Sequence, residues 1–218
     1  QAIKLGSPEA LTQGGTSTAS WIPDQGTMTI HRVEIIRASK VIDVIDGGAR
    51  YEVLRRERGL EQRQIDGVLT ATLAIPGLQV GDILRVTYSQ TMRDKALQGK
   101  VQIVNPLLSL PIEAGFARNT ISWPKGMPLR WQAGPAAGSP NETIKDGWHT
   151  VSIPLPLAKR EDMPEGVPSR FTRLPILEAT TFASWEEVSR AFAPLYSTKD
   201  TIPAGSQLAA EVAKIANQ

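Results

Sequence analysis

IDGVLTATLAIPGLQVGDILRVTYSQT, residues 65–91, is the stretch whose pattern decides the fold class. After Asp66-Gly67, the side chains of Leu69, Ala71, Leu73 and Ile75 share one face, with Thr70 and Thr72 on the other. That period of two is the mark of a half-buried strand. Pro76-Gly77 ends the run, because proline cannot donate to a ladder and glycine takes turn dihedrals. A second strand follows Gly81-Asp82, with Leu84, Val86 and Tyr88 predicted inward and Arg85, Thr87 and Ser89 outward. The spacing predicts a hairpin with one apolar face, and two strands need further strands to cover that face.

Working outward, the flanking sequence repeats the same punctuation. Residues 1–27 are rich in Gly, Ser and Thr, with apolar pieces at Ile3–Leu5 and Ala19–Ile22, and read as one or two edge strands. MTIHRVEII (28–36), VIDVID (41–46) and RYEVLRRE (50–57) read as strands parted by Ala38-Ser39-Lys40 and Gly47-Gly48. Beyond the central stretch, strands are predicted at 101–112, 117–123, 129–132, 142–145 and 148–153. The last two are joined by Asp146-Gly147, a strong hairpin signal. About ten short strands at this spacing predict a mainly β chain, an antiparallel β-sandwich over residues 1–155.

The composition changes at Pro154. Prolines 154, 156, 164, 168 and 175 and the charged run 159–162 predict an extended Pro-rich strap over 156–182. Phe171, Leu174, Ile176 and Leu177 would pack that strap on the sandwich. From 183 to 218 the period becomes helical. Ser184 and Glu187 form a capping box, with Trp185, Val188, Phe192 and Leu195 on one stripe. A second short helix begins near Ser206, with Leu208, Val212 and Ile215 on one face. The chain opens on Gln1 and stops in this helix, so it is expected to be a piece of a longer protein.

Composition excludes several chemistries. The 218 residues hold no cysteine, so no thiol nucleophile, disulfide or cysteine-ligated metal lies among them. The 24 basic and 22 acidic residues give a formal charge of +2, without the clustered excess of a nucleic-acid binder. No window reaches the roughly 18 apolar residues of a membrane-spanning helix. His31 shares strand parity with Val33 and Ile35, and His149 with Val151 and Ile153, which predicts structural roles for both. Neither has a serine or a second histidine at motif spacing, no G-x-S-x-G elbow occurs, and no catalytic, cofactor-binding or metal-ligating residue is assigned.

The candidate binding features are aromatic and basic. Arg50, Arg55, Arg56, Arg58 and Arg63 could face an anionic partner, but Glu52, Glu57 and Glu61 interleave with them and favour cross-strand ion pairs. Of the five tryptophans, Trp123 and Trp148 sit in apolar strand contexts and are predicted to be core. Trp21 beside Pro23, and Trp131 between Arg130 and Gln132, are better placed to be exposed and to stack on a sugar or peptide. The candidate ligand or partner surface is therefore Trp21, Trp131, Arg55, Arg56, Arg58 and Trp185.

Four runs, in order, carry a family resemblance: IHRVEIIRASKVIDVI (30–45), YEVLRRERGLEQRQIDGVLTATL (51–73), VGDILRVTY (80–88) and FASWEEVSRAFAPLY (182–196). Together the chain resembles the bacterial domain of unknown function 3857, over about residues 15–217. The resemblance implies a β-sandwich module leading into a transglutaminase-like, papain-fold Cys-His-Asp domain in exported, periplasmic proteins of Gram-negative bacteria. No triad residue can be carried over to a sequence without cysteine. The function so implied is a non-catalytic accessory module that positions or regulates the downstream domain, its partner in the same chain. The alternative is a carbohydrate- or peptide-binding sandwich of the cell envelope. A third reading is a structural domain docking a partner through its arginine face.

Overall fold

A computed structural model describes residues 1–55, 61, 63, 65–112, 114–134, 137–159, 164, 166–168, 171, 174–199 and 201–217. The chain is mainly β, its sheets are antiparallel, and two short helices stand at its C-terminal end. It divides into two compact units, Gln1–Lys95 and Ala96–Gln218, so the division falls inside the span expected as one sandwich.

The first unit holds two sheets. One runs β1 (Ala2–Lys4), β7 (Ile83–Gln90), β3 (Met28–Arg37), β4 (Lys40–Asp43). The other runs β2 (Thr16–Trp21), β6 (Leu69–Ala74), β5 (Glu52–Arg55). The two share a core of Val33, Ile35, Val44, Leu73, Ile75 and Leu84, drawn from both sheets, which makes the unit a small sandwich.

The central stretch is therefore not a hairpin. Its strands β6 and β7 belong to opposite sheets, β6 pairing with β2 and β5 and β7 with β1 and β3. Residues 75–82 are too long for a tight turn and carry the chain across the core instead, with Ile75 buried. The crossing is pinned by Asp82, which accepts Arg37 Nε and Nη2 at 2.8 Å each and the Gln79 amide at 2.8 Å. Arg37 also donates to the Gly77 carbonyl at 2.7 Å.

Alternation is only partly kept on these strands. Thr70, predicted outward, is buried and hydrogen-bonds Ser20, while Tyr88, predicted inward, is half exposed beyond the end of the core. The N-terminal region contains its two strands and also a helix the sequence reading lacked, α1 (Pro8–Gly14). Ser7 caps it and Pro8 opens it, a start signal that the surrounding Gly, Ser and Thr obscure.

The second unit is another sandwich. Its sheets are β10 (Arg130–Ala133), β13 (Ile176–Thr180), β8 (Gln102–Pro106), and β11 (Asn141–Lys145), β12 (Trp148–Leu155), β9 (Ala117–Pro124). Between them lie Leu107, Ile121, Trp123, Val151, Ile153, Leu157, Leu177 and Ala179. The β11–β12 hairpin turns at Asp146 and Gly147, both at positive φ (50° and 80°), as the Asp-Gly pair predicts.

Part of the predicted strap is structural core. Ile176–Thr180 is the central strand of its sheet, with Leu177 and Ala179 buried, whereas Phe171 and Leu174 stay exposed. The expectation that all four apolar residues pack on the sandwich fails for those two. Trp148, predicted core, is half exposed at the start of β12, because the apolar side chains that suggested burial lie deeper along the strand. α2 (Trp185–Phe192) and α3 (Gln207–Ala216) follow, the first capped by Ser184 as predicted and the second starting after Ser206, which also caps it.

Candidate functional site

A groove of about 600 Å³ lies wholly in the second unit, where α2 approaches the β10–β13–β8 sheet. Register places Arg130, Gln132, Glu178, Thr180 and Gln102 on one face of that sheet, since Arg130 pairs with Thr180, Gln132 with Glu178 and Thr180 with Gln102. Val188 and Phe192 come from α2 on the helical stripe read from the sequence. Trp185 heads the same stripe and lines the groove with most of its surface open to solvent, at 86% exposure. Trp131, in register with buried Ala179, packs on the core and reaches the groove as well.

Hydrogen bonds and one ion pair cap α2 and tie it and its approach to residues 98–100 and to Arg130. Ser184 Oγ accepts the Glu187 amide at 3.2 Å, and Glu187 returns to the Ala183 amide at 2.5 Å. Glu187 is also ion-paired with Lys100, which lies 6.0 Å from the Phe182 ring centroid. The Lys100 ammonium, and after it the Ala183 amide, hold the Glu187 carboxyl below its usual range. Gln98 Nε2 donates to the Ala191 carbonyl at 3.2 Å, and the Arg130 guanidinium donates to the Phe182 carbonyl. Glu178 is half-buried, and its carboxylate has no side-chain partner among the described residues.

The structure thus joins two of the candidates, Trp131 and Trp185. Trp21 is elsewhere, half-buried at a smaller cavity of about 350 Å³ in the first unit. Arg55 is exposed on β5, and Arg56 and Arg58 lie outside the described residues. Arg50, expected in a cross-strand ion pair, donates instead to the Ile45 and Ala49 carbonyls at 2.9 and 2.8 Å. The groove's Glu178 and Phe182 fall within the predicted strap, and the alternation of Leu177 and Ala179 is the only sequence signal that a strand runs there.

The histidines divide. His149 keeps its parity and stacks on Trp123, with centroids 5.2 Å apart and planes 6° apart. His31 does not face the core: a bulge between Ile30 and Arg32 shifts the register and leaves it exposed, 2.7 Å from Ser89 Oγ. This serine, 58 positions away, could not be found from motif spacing. No group of three or more His, Cys, Asp or Glu residues able to hold a metal occurs among the described residues. No helix there is long and apolar enough to cross a membrane.

The fold is similar to that of a Parabacteroides distasonis protein described as a putative protease, with a TM-score of 0.69 and 18% identity. The likeness covers 92% of this chain and 39% of that one, so the chain spans well under half of its structural neighbour. At that identity the resemblance is one of fold. No curated protein matches the chain. Residues 1–153, more than two thirds of the 218, match the family described as a domain of unknown function with solved structure, DUF3857, and the chain belongs to that family.

Proposed function

We propose that this chain is a non-catalytic accessory module of a longer, protease-like protein, where it positions or regulates a transglutaminase-like Cys-His-Asp domain in the same polypeptide. The observation that carries the reading is the asymmetry of the structural match. Nearly all of this chain, 92%, corresponds to only 39% of a protein described as a putative protease. A fold that recurs as a minor part of a longer chain, with no cysteine of its own, suits an accessory role better than a self-sufficient peptidase. The exposed apolar side chains of the C-terminal helices, Leu195, Leu208 and Ile215, favour a neighbour that covers them. An exported, periplasmic location belongs to the same proposal.

The test is made on the full reading frame. A Cys-His-Asp domain encoded with this chain, whose turnover of peptide substrates changes when residues 1–218 are deleted, supports the role. A frame without such a domain, or peptide hydrolysis by residues 1–218 alone, overturns it.

A further inference from the structure

We propose that the groove between α2 and the β10–β13–β8 sheet binds a peptide segment through a lysine or arginine side chain, with Glu178 as the counter-ion. The lining contains one carboxylate, Glu178, and that group is half-buried without a side-chain partner among the described residues. The one cation of the lining among the described residues, Arg130, is already turned to the Phe182 carbonyl. A carboxylate drawn partly out of water gains from an incoming cation that hydrogen-bonds it. What Glu178 lacks is a hydrogen-bonded cation, because the Arg130 guanidinium on the same sheet face is engaged by a carbonyl.

The walls suit the rest of such a side chain. Phe182, Trp185 and Phe192 offer apolar surface to a methylene stem and ring faces to its cationic end. The same combination occurs within the chain at one end of the groove, where Lys100 lies over Phe182 and pairs with Glu187. Gln102 and Gln132 have no side-chain partners among the described residues and can meet a peptide backbone. β10 is the outermost strand of its sheet, and among the described residues no strand pairs with its outer edge, the kind of edge to which an extended segment can add. A volume near 600 Å³ accommodates a few residues rather than a folded domain.

The experiment is a set of titrations of the 218-residue chain, followed by tryptophan fluorescence and calorimetry. The probes are acetyl-Leu-Lys-Leu-amide, its norleucine and glutamate counterparts, and chitotriose. The lysine peptide is expected to bind about tenfold or more tightly than the norleucine peptide, and the glutamate peptide weakest. Glu178→Gln is expected to remove that lysine preference and leave norleucine binding unchanged. Trp185→Ala, at an exposed position, is expected to weaken all the peptides with an unchanged circular dichroism spectrum. Equal binding of the three peptides, binding of chitotriose alone, no binding at all, or a lysine preference that survives Glu178→Gln each overturns the proposal. None of these readouts involves peptidase turnover, so the result stands apart from the accessory role.

Discussion

Asp82 is only 2% exposed and carries a charge, an arrangement that holds only if both carboxylate oxygens find donors. Arg37 and the Gln79 amide supply them with three hydrogen bonds, and the Arg37 hydrogen bonds, above all, hold the Asp82 carboxyl below the usual carboxylate range. A depressed pKa in the folded state stabilises the fold above the unfolded value and is lost as pH falls through the folded one. The melting temperature of the chain is therefore expected to drop below about pH 4, where an unfolded aspartate begins to protonate. Asp82→Asn is expected to melt lower than wild type at pH 7, with the gap closing toward pH 2. A gap that stays constant over a thermal-melt series contradicts this account. Gly26 makes a steric case at the same scale: a Cβ there would lie 1.9 Å from the Thr91 carbonyl oxygen. Gly26→Ala is expected to cost about 1–3 kcal/mol in urea unfolding. Gly115→Ala, where a Cβ meets nothing within 4 Å, is expected to change stability by less than about 0.5 kcal/mol.

At the scale of elements, β13 separates what sequence shows from what it hides. Most strands were legible because apolar alternation and Gly or Pro turns coincide, as at Asp146-Gly147. β13 carries only two buried side chains, Leu177 and Ala179, and follows a proline-rich segment, so composition outweighed parity. Leu177→Ala, at a fully buried position, is expected to destabilise the protein by about 2–5 kcal/mol in denaturant, against almost nothing for exposed Leu174→Ala. α2 was legible to its caps because capping chemistry is local. The groove it forms was only half legible. Trp131 stands out between Arg130 and Gln132 and Trp185 heads a helical stripe, but that both line one groove depends on β13, whose register no local pattern gives. His31 was misplaced for a related reason: a one-residue bulge flips strand parity and leaves no mark in the sequence.

On the scale of the molecule, each unit owns a closed core, one built on Val33, Ile35 and Leu84, the other on Val151, Ile153 and Leu177. Residues 1–95 and 96–218, expressed separately, are each expected to give a β-type circular dichroism spectrum and a cooperative melt. A non-cooperative melt of either piece would count against that. Two units of roughly 100 residues also explain why the strand count pointed to a single sandwich: pattern reveals strands, and only long-range pairing reveals which of them share a sheet.

The crossing at residues 75–82 bears on how the first unit is made. Had β6 and β7 zipped together as neighbours, a short loop would have sufficed to start the sheet. Instead β7 must find β3, joining Glu34 to Arg85 across 51 positions, and closing so long a loop carries an entropic cost before any contact repays it. During synthesis, β3 can pair with β4 as soon as both emerge, but its other edge stays open until Gln90 has left the ribosome. For that interval Val33 and Ile35 line an unpaired strand edge, the kind of surface on which nascent chains aggregate or recruit chaperones.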